Sequence, residues 1–189
     1  VSGTGNWQSA YPFFLSYAID GWGLSDDTVV ENGDTVPVTW PTCNTVSGAR
    51  APLPPSLPKT VTFTLDKLYT LDGLCLWNYS EYWQGNYYNT RGVKGTSIAF
   101  STDGGANFGS PVALSDFVAA ESATWGSAQY KAFTPAEANA VRLTVTSNLG
   151  DTGFVGFNEI RFTGFVPEPT SLALLALAGA AMLRRRQRA

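Results

Sequence analysis

The chain has 189 residues, of which 44% are hydrophobic, 13% aromatic and 14% charged, and its formal net charge is −3. This length allows one domain of ordinary size with a proper core. The sequence contains no histidine, which removes the commonest general base and most zinc sites, and an acidic body with no basic stripe argues against a nucleic-acid partner.

Proline and turn residues dominate the first sixty residues. The stretch APLPPSLP (51–58) cannot lie inside a helix or a central strand, because proline fixes φ and has no backbone N–H. It predicts an extended connection to the first clear strand, VTFTL (61–65), in which apolar residues alternate with threonines. The longer run LYTLDGLCLWNY (68–79) follows, and Asp72-Gly73 predicts a bend within it.

A predicted strand, SIAFS (97–101), leads directly into the turn-rich segment STDGGANF (101–108). Asp103-Gly104-Gly105 is a hairpin turn signal, because positions with positive φ favour Gly, Asn and Asp. The segment also fits the Asp-box pattern S-x-D-x-G-x-x-[WF] of sialidase propellers. A single copy cannot build a propeller, so we interpret it as a stable hairpin in which Asp103 caps the turn.

Two short helical turns and two strands are predicted in the remainder of the body. The stretches DFVAAESATW (116–125) and PAEANA (135–140) each indicate one helical turn, the second with proline at its first position. Alternating apolar residues in AVRLTVT (140–146) and FVGFNEIRF (154–162) predict strands. About six to eight short strands with turn-rich links predict an all-β sandwich.

Cys43 and Cys75 are the only two cysteines. In an exported protein they could form one disulfide bond. The alternative is a pair of unrelated buried thiols, because the distance between the two residues does not follow from the sequence.

The composition changes abruptly after Phe165. Residues 1–165 carry 8 Lys or Arg against 14 Asp or Glu, whereas residues 166–189 carry 4 Arg against 1 Glu. The run SLALLALAGAAML (171–183) is apolar after its first residue and would span about 20 Å as a helix, short of the roughly 30 Å bilayer core. The arginines at 184–188 predict a cytoplasmic end. A temporary membrane stop for an exported body fits these features, and a buried C-terminal helix is the alternative.

The order of features in residues 166–189 closely resembles the PEP-CTERM sorting signal. Pro167, Glu168 and Pro169 match its motif residue for residue, and a short hydrophobic stretch and an arginine cluster follow. The resemblance implies cleavage by an exosortase, a membrane protease of Gram-negative bacteria, after a transient stay in the inner membrane. It also implies delivery to the cell surface or an extracellular polysaccharide matrix.

Four segments of the body occur in the order found in one kind of domain: LWNYSEYW (76–83), RGVK (91–94), STDGG (101–105) and GFNEIRF (156–162). They resemble the galactose-binding-like, discoidin-type jelly-roll domains, which include many carbohydrate-binding modules. The resemblance implies a β-sandwich domain over residues 1–165, followed by the sorting signal with its short hydrophobic helix over residues 166–189. Ser80 departs from the pattern, which has Asn there, and the 22–60 region is longer and richer in proline than usual.

The same resemblance implies one structural calcium ion between an early loop and the late strand. Carried over by position, its ligands are Asp20, Asp26, Thr28 and Glu159, with a carbonyl near Ala18. Calcium takes about six to eight oxygen ligands, which loop carboxylates and carbonyls provide. The alternative is that Asp20 makes an Asx turn and Glu159 an ordinary hydrogen bond.

Sugar sites stack flat aromatic rings on the C–H faces of the sugar and use polar side chains to recognise hydroxyls. The resemblance implies such a site on loops at one end of the sandwich, and the candidates are Trp22, Tyr82, Trp83, Tyr87, Tyr88 and Arg91. The segment YWQGNYYNTR (82–91) is unusually aromatic for a loop. Core packing is the alternative for each aromatic residue, and Trp77 and Tyr79 are predicted to be core or corner residues.

Three functions are compatible with these features. The first is a polysaccharide-binding protein of the cell surface or matrix, and the second is a structural matrix protein with no sugar specificity. The third is a hydrolase that uses a carboxylate pair such as Glu81 and Asp103, which would have to lie about 5–10 Å apart. We expect the first, a non-catalytic protein, because the sequence offers no support for that proximity.

Overall fold

The computed structural model describes residues 2–4, 49–52, 57–121 and 128–166. Within these ranges the protein is almost entirely β-structure, and its helical content is one 3₁₀ turn, Asn89–Arg91. The strands are β1 (Ser2–Thr4), β2 (Ala49–Pro52), β3 (Lys59–Asn78), β4 (Tyr82–Trp83), β5 (Asn86–Tyr87), β6 (Thr96–Ser101), β7 (Val112–Leu114), β8 (Gln129–Val145) and β9 (Phe154–Phe165).

The strands of the main sheet are antiparallel and lie in the order β2-β9-β3-β8-β6-β7. β3 is central: β8 pairs along nearly all of one edge, whereas β1 and then β9 share the other edge. β4 and β5 form a separate hairpin immediately after β3.

The two ends of β3 lie close to the same part of the chain. Lys59 and Thr96 both pair with Val145, which places the beginning of β3 level with the beginning of β6. At the other end, Asn78 Nδ2 donates a 2.8 Å hydrogen bond to the carbonyl of Val93, just before β6. A straight strand of this length would measure about 65 Å, so β3 doubles back on itself.

The turn in β3 coincides with irregularities in its pairing. The register with β8 shifts between Thr64 and Tyr69 and again between Leu71 and Gly73. Such bulges bend a strand and let it pass from one layer of a sandwich to the other. We call this bend the corner of the domain.

The hydrophobic core lies between the two layers that the bend creates. Phe63, before the bend, packs edge-on against Phe162 of β9, which pairs with the part of β3 after the bend; the ring centroids are 5.3 Å apart. Alternating residues of β3 and β8 point into this core and are buried, because side chains of a strand alternate between its two faces. The buried residues of this core include Val61, Leu74, Leu76, Ile98, Val141, Leu143, Val145, Val155, Phe157 and Ile160.

The all-β prediction is confirmed, and most predicted strands are present. The predicted strands 61–65 and 68–79 are two halves of the single strand β3, and the bend predicted at Asp72-Gly73 is its second register shift. Residues 97–101, 140–146 and 154–162 correspond to β6, the end of β8 and β9.

The predicted helical turn at 135–140 is wrong, because these residues belong to β8. Proline disrupts a regular ladder since it has no N–H to donate. Pro135 is accommodated because it lies between Ala132 and Ala136, where the pairing with β3 is interrupted by the second register shift. Of the other predicted turn, residues 116–121 are not helical and the remainder lies outside the described residues.

The predicted C-terminal helix within residues 166–189 also lies outside the described residues. In the ranges 2–4, 49–52, 57–121 and 128–166, no helix is both long enough and apolar enough to cross a membrane.

Candidate functional site

The segment after β3 forms a tight hairpin, which we call the aromatic hairpin (residues 82–87). Its two-residue turn has positive φ at both positions, 49° at Gln84 and 81° at Gly85. Two positive φ angles are typical of the turn whose twist matches that of paired strands, and glycine adopts this region without strain. Tyr88 N–H donates a 3.0 Å hydrogen bond to the carbonyl of Glu81, which closes the base of the hairpin.

Tyr82 and Tyr87 lie directly opposite each other on this hairpin. Because hydrogen-bonded and non-hydrogen-bonded pairs alternate, and Glu81 is bonded to Tyr88, the tyrosines occupy the pair with the closer side chains. Their ring centroids are 5.2 Å apart, with planes inclined by 47°. They are 48% and 70% exposed, so the hairpin presents two adjoining aromatic rings to solvent.

Arg91 lies beneath this hairpin and is largely buried, with 11% of its side chain exposed. Its Nη1 donates to Oε2 of Glu81, and its Nε lies 3.5 Å from Oδ2 of Asp151. The guanidinium also lies 3.8 Å from the ring centroid of Tyr88 and 4.8 Å from that of Phe154. Arg91 therefore connects the base of the hairpin to the loop before β9.

Glu81 is the anionic partner in this cluster. Its Oε2 accepts a 2.8 Å hydrogen bond from the hydroxyl of Tyr79 as well as the bond from Arg91. Tyr79 is fully buried and Trp77 is 5% exposed, which confirms that both are core residues. The cluster thus anchors the exposed hairpin to the core through charged and hydrogen-bonded groups.

Asn78 connects three segments at the same end of the domain. It is buried, and its Nδ2 donates 2.8 Å hydrogen bonds to the carbonyls of Val93 and Val118. Its Oδ1 accepts from the backbone N–H groups of Tyr79 and Val93. Because all four hydrogen-bonding positions of the amide are used, Asn78 holds the end of β3 beside the segment that leads into β6.

Sequence reasoning missed two amide side chains close to the hairpin, those of the half-buried Asn89 and the buried Asn158. Asn89 Nδ2 donates to the carbonyl of Ala120 at 3.0 Å, and Asn158 Nδ2 donates to Oγ of Ser80 at 3.0 Å. The side-chain oxygen of each is buried and has no hydrogen-bond partner among the residues that the structure describes. Such groups cost free energy and are uncommon in folded proteins, but isolated asparagines form no sequence pattern that would have identified them.

The structure brings together Tyr82, Tyr87, Tyr88 and Arg91 from the predicted sugar site. The two exposed tyrosines are available to a ligand, whereas Tyr88 and Arg91 contact each other beneath them. Trp83 belongs to β4, but its side chain is outside the described part, as is all of Trp22.

Of the expected calcium ligands, Asp20, Asp26 and Thr28 lie outside the described residues. Glu159 is fully buried in β9, and its Oε1 accepts a 2.6 Å hydrogen bond from Nε of Arg161. This carboxylate oxygen is therefore already engaged by a cation. No three His, Cys, Asp or Glu side chains in the described ranges are grouped so that they could hold a metal ion. Calcium stays a prediction.

Cys75 is half-buried in β3 and, within the described residues, has no disulfide partner. Burial raises the pKa of its thiol. Cys43 lies outside the described residues, so the predicted bridge between the two also stays a prediction.

The carboxylates of Glu81 and Asp103 lie at opposite ends of the domain. Glu81 follows Asn78, which contacts Val93 just before β6, whereas Asp103 follows the last residue of β6. The length of β6 alone places the ends near Glu81 and Asp103 about 17 Å apart. This distance exceeds the separation found between paired catalytic carboxylates.

Asp103 caps the turn after β6, as predicted. Its Oδ1 accepts hydrogen bonds from the backbone N–H of Asn107 at 3.0 Å and from Oγ of Ser101 at 2.6 Å. Its Oδ2 accepts from Asn107 Nδ2 at 2.8 Å. β6 and β7 are paired across this segment, although the connection is longer than a tight hairpin.

Comparison with known families finds a match in the tail. The family model of the PEP-CTERM protein-sorting motif matches residues 165–187, which confirms the resemblance seen in Pro167, Glu168 and Pro169. No curated protein matches the chain.

Solved structures similar to this chain include carbohydrate-binding modules. A family 32 module from Clostridium perfringens, in complex with GalNAc-β-1,3-galactose, is 18% identical with a TM-score of 0.54; the match covers 86% of this chain and 93% of that one. A pectin-binding module is 18% identical with a TM-score of 0.52, over 89% and 94% of the two chains. A further module, from a family 31 glycoside hydrolase of Clostridium perfringens, is 18% identical with a TM-score of 0.51, over 87% and 88%. These likenesses show the fold, the discoidin-like β-sandwich.

Proposed function

We propose that this protein is an exported, non-catalytic polysaccharide-binding protein that is sorted through its C-terminal tail and binds its ligand with the aromatic hairpin. The observation that carries the proposal is the exposed pair Tyr82 and Tyr87, held on a hairpin that the core supports. Large aromatic rings are usually buried, so two adjoining exposed rings are characteristic of a binding surface.

The roles of the hairpin residues follow from their exposure. Tyr82 and Tyr87 would stack against the C–H faces of sugar rings. Arg91 and Tyr88 act as positioning residues, because the guanidinium is occupied by Glu81, Asp151 and two aromatic rings. A platform positioned in advance loses less conformational entropy when the ligand binds. Trp83 and Trp22 are proposed as further contacts.

The fold supports the choice of ligand class. The solved modules with this fold include one in complex with GalNAc-β-1,3-galactose and one described as pectin-binding. The separation of Glu81 from Asp103 and the hydrogen bonds that each already makes support a non-catalytic role.

The tail supports the location. A PEP-CTERM sorting motif implies processing by an exosortase-type protease while the apolar run is in the inner membrane. The destination we propose is the cell surface or the extracellular matrix of a Gram-negative bacterium, where polysaccharide is abundant.

The experiment is binding of the full chain, in mild detergent, to a panel of immobilised polysaccharides. The Tyr82→Ala/Tyr87→Ala variant should lose roughly ten-fold or more in affinity with its unfolding midpoint unchanged, because the truncated rings are exposed. Tyr130→Ala is the matched control, since Tyr130 is similarly exposed, at 44%, but lies on β8. Unchanged binding by the double variant would refute the hairpin as the site. If the wild-type chain binds nothing on the panel, the structural matrix function is favoured instead.

A further inference from the structure

β9 connects the candidate binding site to the sorting tail. At its beginning, the ring of Phe154 lies 4.8 Å from the guanidinium of Arg91, beneath the aromatic hairpin. At its end, Phe165 pairs with Thr70, beside the bend of β3. From Thr70 to Asn78, β3 rises by about 25 Å, so the tail leaves the domain at the end opposite the hairpin.

The surface at which the tail leaves has a distinctive composition. We call it the exit corner and define it as residues 66–69 and 164–166. Leu68, Phe165 and Val166 are 37%, 58% and 46% exposed. Lys67 Nζ lies 5.4 Å from the ring centroid of Tyr69, whose hydroxyl donates to Asp66. Apolar, tyrosine and lysine side chains together are typical of protein surfaces at the membrane interface, where the rings and the lysine stem are apolar and their tips are polar.

The chain between the exit corner and the apolar run of the tail is short. Val166 is the last described residue, and the apolar run begins at Ser171. The four residues between them span at most about 15 Å even when fully extended. When the run is in a bilayer, this connection does not let the domain move far from the lipid headgroups.

We infer that the exit corner is a membrane-facing surface that contacts the lipid bilayer while the tail is still attached, so that the aromatic hairpin points away from the membrane. The inference rests on the proposed sorting through the tail, and it commits to lipid as the partner. Its consequence is that polysaccharide outside the membrane can be bound before the tail is cleaved.

The test measures the height of two positions above the bilayer. The full chain, with Cys43→Ser and Cys75→Ser, is inserted into vesicles of phosphatidylethanolamine and phosphatidylglycerol that carry a fluorescent acceptor on the headgroup. A donor dye is attached through Thr64→Cys, close to the corner, or through Asn86→Cys on the hairpin; both side chains are exposed. Energy transfer should be stronger from position 64, with a difference in height of about 20 Å or more.

Equal transfer from the two positions, or stronger transfer from position 86, would overturn the inference. A chain that does not float with the vesicles would overturn it as well, because the bilayer would then not be the partner. Leu68→Asp/Phe165→Asp should reduce transfer from position 64, whereas Val112→Asp/Val118→Asp, which alters exposed apolar residues elsewhere, should not. Both pairs of aspartate substitutions are made in the chain that carries the dye at position 64, and both replace exposed side chains.

The outcome can be separated from that of the sugar-binding proposal. Polysaccharide binding is measured by adding soluble polysaccharide to vesicles that carry the chain labelled at position 64, because this label leaves the hairpin unmodified. If the chain shows the height difference but binds no polysaccharide, only the sugar-binding proposal is refuted. If it binds polysaccharide but shows no height difference, only the membrane-facing orientation is refuted.

Discussion

Arg91 donates a hydrogen bond from Nη1 to Oε2 of Glu81, and this pair holds the aromatic hairpin at its base. Glu81 precedes the hairpin in the chain and Arg91 follows it, so their contact joins the two ends of this segment. The backbone hydrogen bond between Glu81 and Tyr88 joins them as well. The partner groups Asp151 and Phe154 come from the loop before β9 and its first residue. The position of the exposed tyrosines therefore depends on residues far away in the sequence.

Glu81→Gln should destabilise the protein, because it keeps the shape of the side chain but removes the charge that balances the buried guanidinium. We expect a loss of about 1–3 kcal/mol in the free energy of unfolding, measured in urea. Glu137→Gln, at an exposed position of β8, is the control and should change the stability by less than about 0.5 kcal/mol. Equal effects of the two substitutions would show that the pair does not anchor the hairpin.

Asp103 should contribute to stability only when it is ionised. Hydrogen bonds from the backbone of Asn107 and the hydroxyl of Ser101 hold the pKa of Asp103 well below its ordinary value of 3.8. Because the pKa is lower in the folded state, the contribution is complete above the ordinary pKa and is lost as the pH falls through the lowered value.

The test of this titration is the melting temperature as a function of pH. Asp103→Asn should reduce it at neutral pH and should differ less from the wild type below about pH 3. Asp116→Asn removes an exposed carboxylate whose Oδ2 lies 3.8 Å from Lys94 Nζ, and it should have the smaller effect. A constant difference between wild type and Asp103→Asn at every pH would contradict the assignment.

Gly164→Ala should disrupt the end of β9. Gly164 has φ of 155°, and a Cβ at this position would overlap the carbonyl oxygen of Thr70 in the paired strand. We expect about 2–4 kcal/mol of destabilisation, or fraying of the exit corner detected by faster amide hydrogen exchange in residues 162–166. Gly109→Ala is the control, because its Cβ would meet only the carbonyl of Phe100 at 3.8 Å. Normal stability of Gly164→Ala would show that this backbone can relax.

Calcium is predicted to stabilise the domain, if the early loop supplies the ligands that the resemblance implies. The expected result is a melting temperature that rises with calcium and falls with a chelator, since a ligand that binds only the folded state stabilises it. Asp20→Asn should weaken the dependence, whereas Asp116→Asn should leave it unchanged. The absence of any calcium dependence in the wild-type chain would contradict this prediction, and the contact of Glu159 with Arg161 would then be structural.

The strands were largely predictable because they depend on local patterns. Alternation of apolar and polar residues in 61–65, 97–101 and 140–146 indicates strands wherever one face is buried. The helical turn at 135–140 was predicted wrongly, because Pro135 has local features that suit a helix start as well as a bulge. Whether this segment forms a helix or a bulge depends on the register between β8 and β3, which is a long-range property.

Two properties of this protein follow from its sequence alone: the sorting tail and the class of fold. The tail is a linear motif that consists of Pro167, Glu168 and Pro169, an apolar run and arginines. It can be identified in the sequence without knowledge of any tertiary contact. Only the tertiary structure decided that Tyr82 and Tyr87 are exposed while Arg91 is buried beneath them, and that the tail leaves at the opposite end. The physical reason is that burial and ion pairing depend on contacts between segments that are distant in the sequence. Here Asp151 and Phe154 contact Arg91, and the bend of β3 places the end of β9 far from the hairpin.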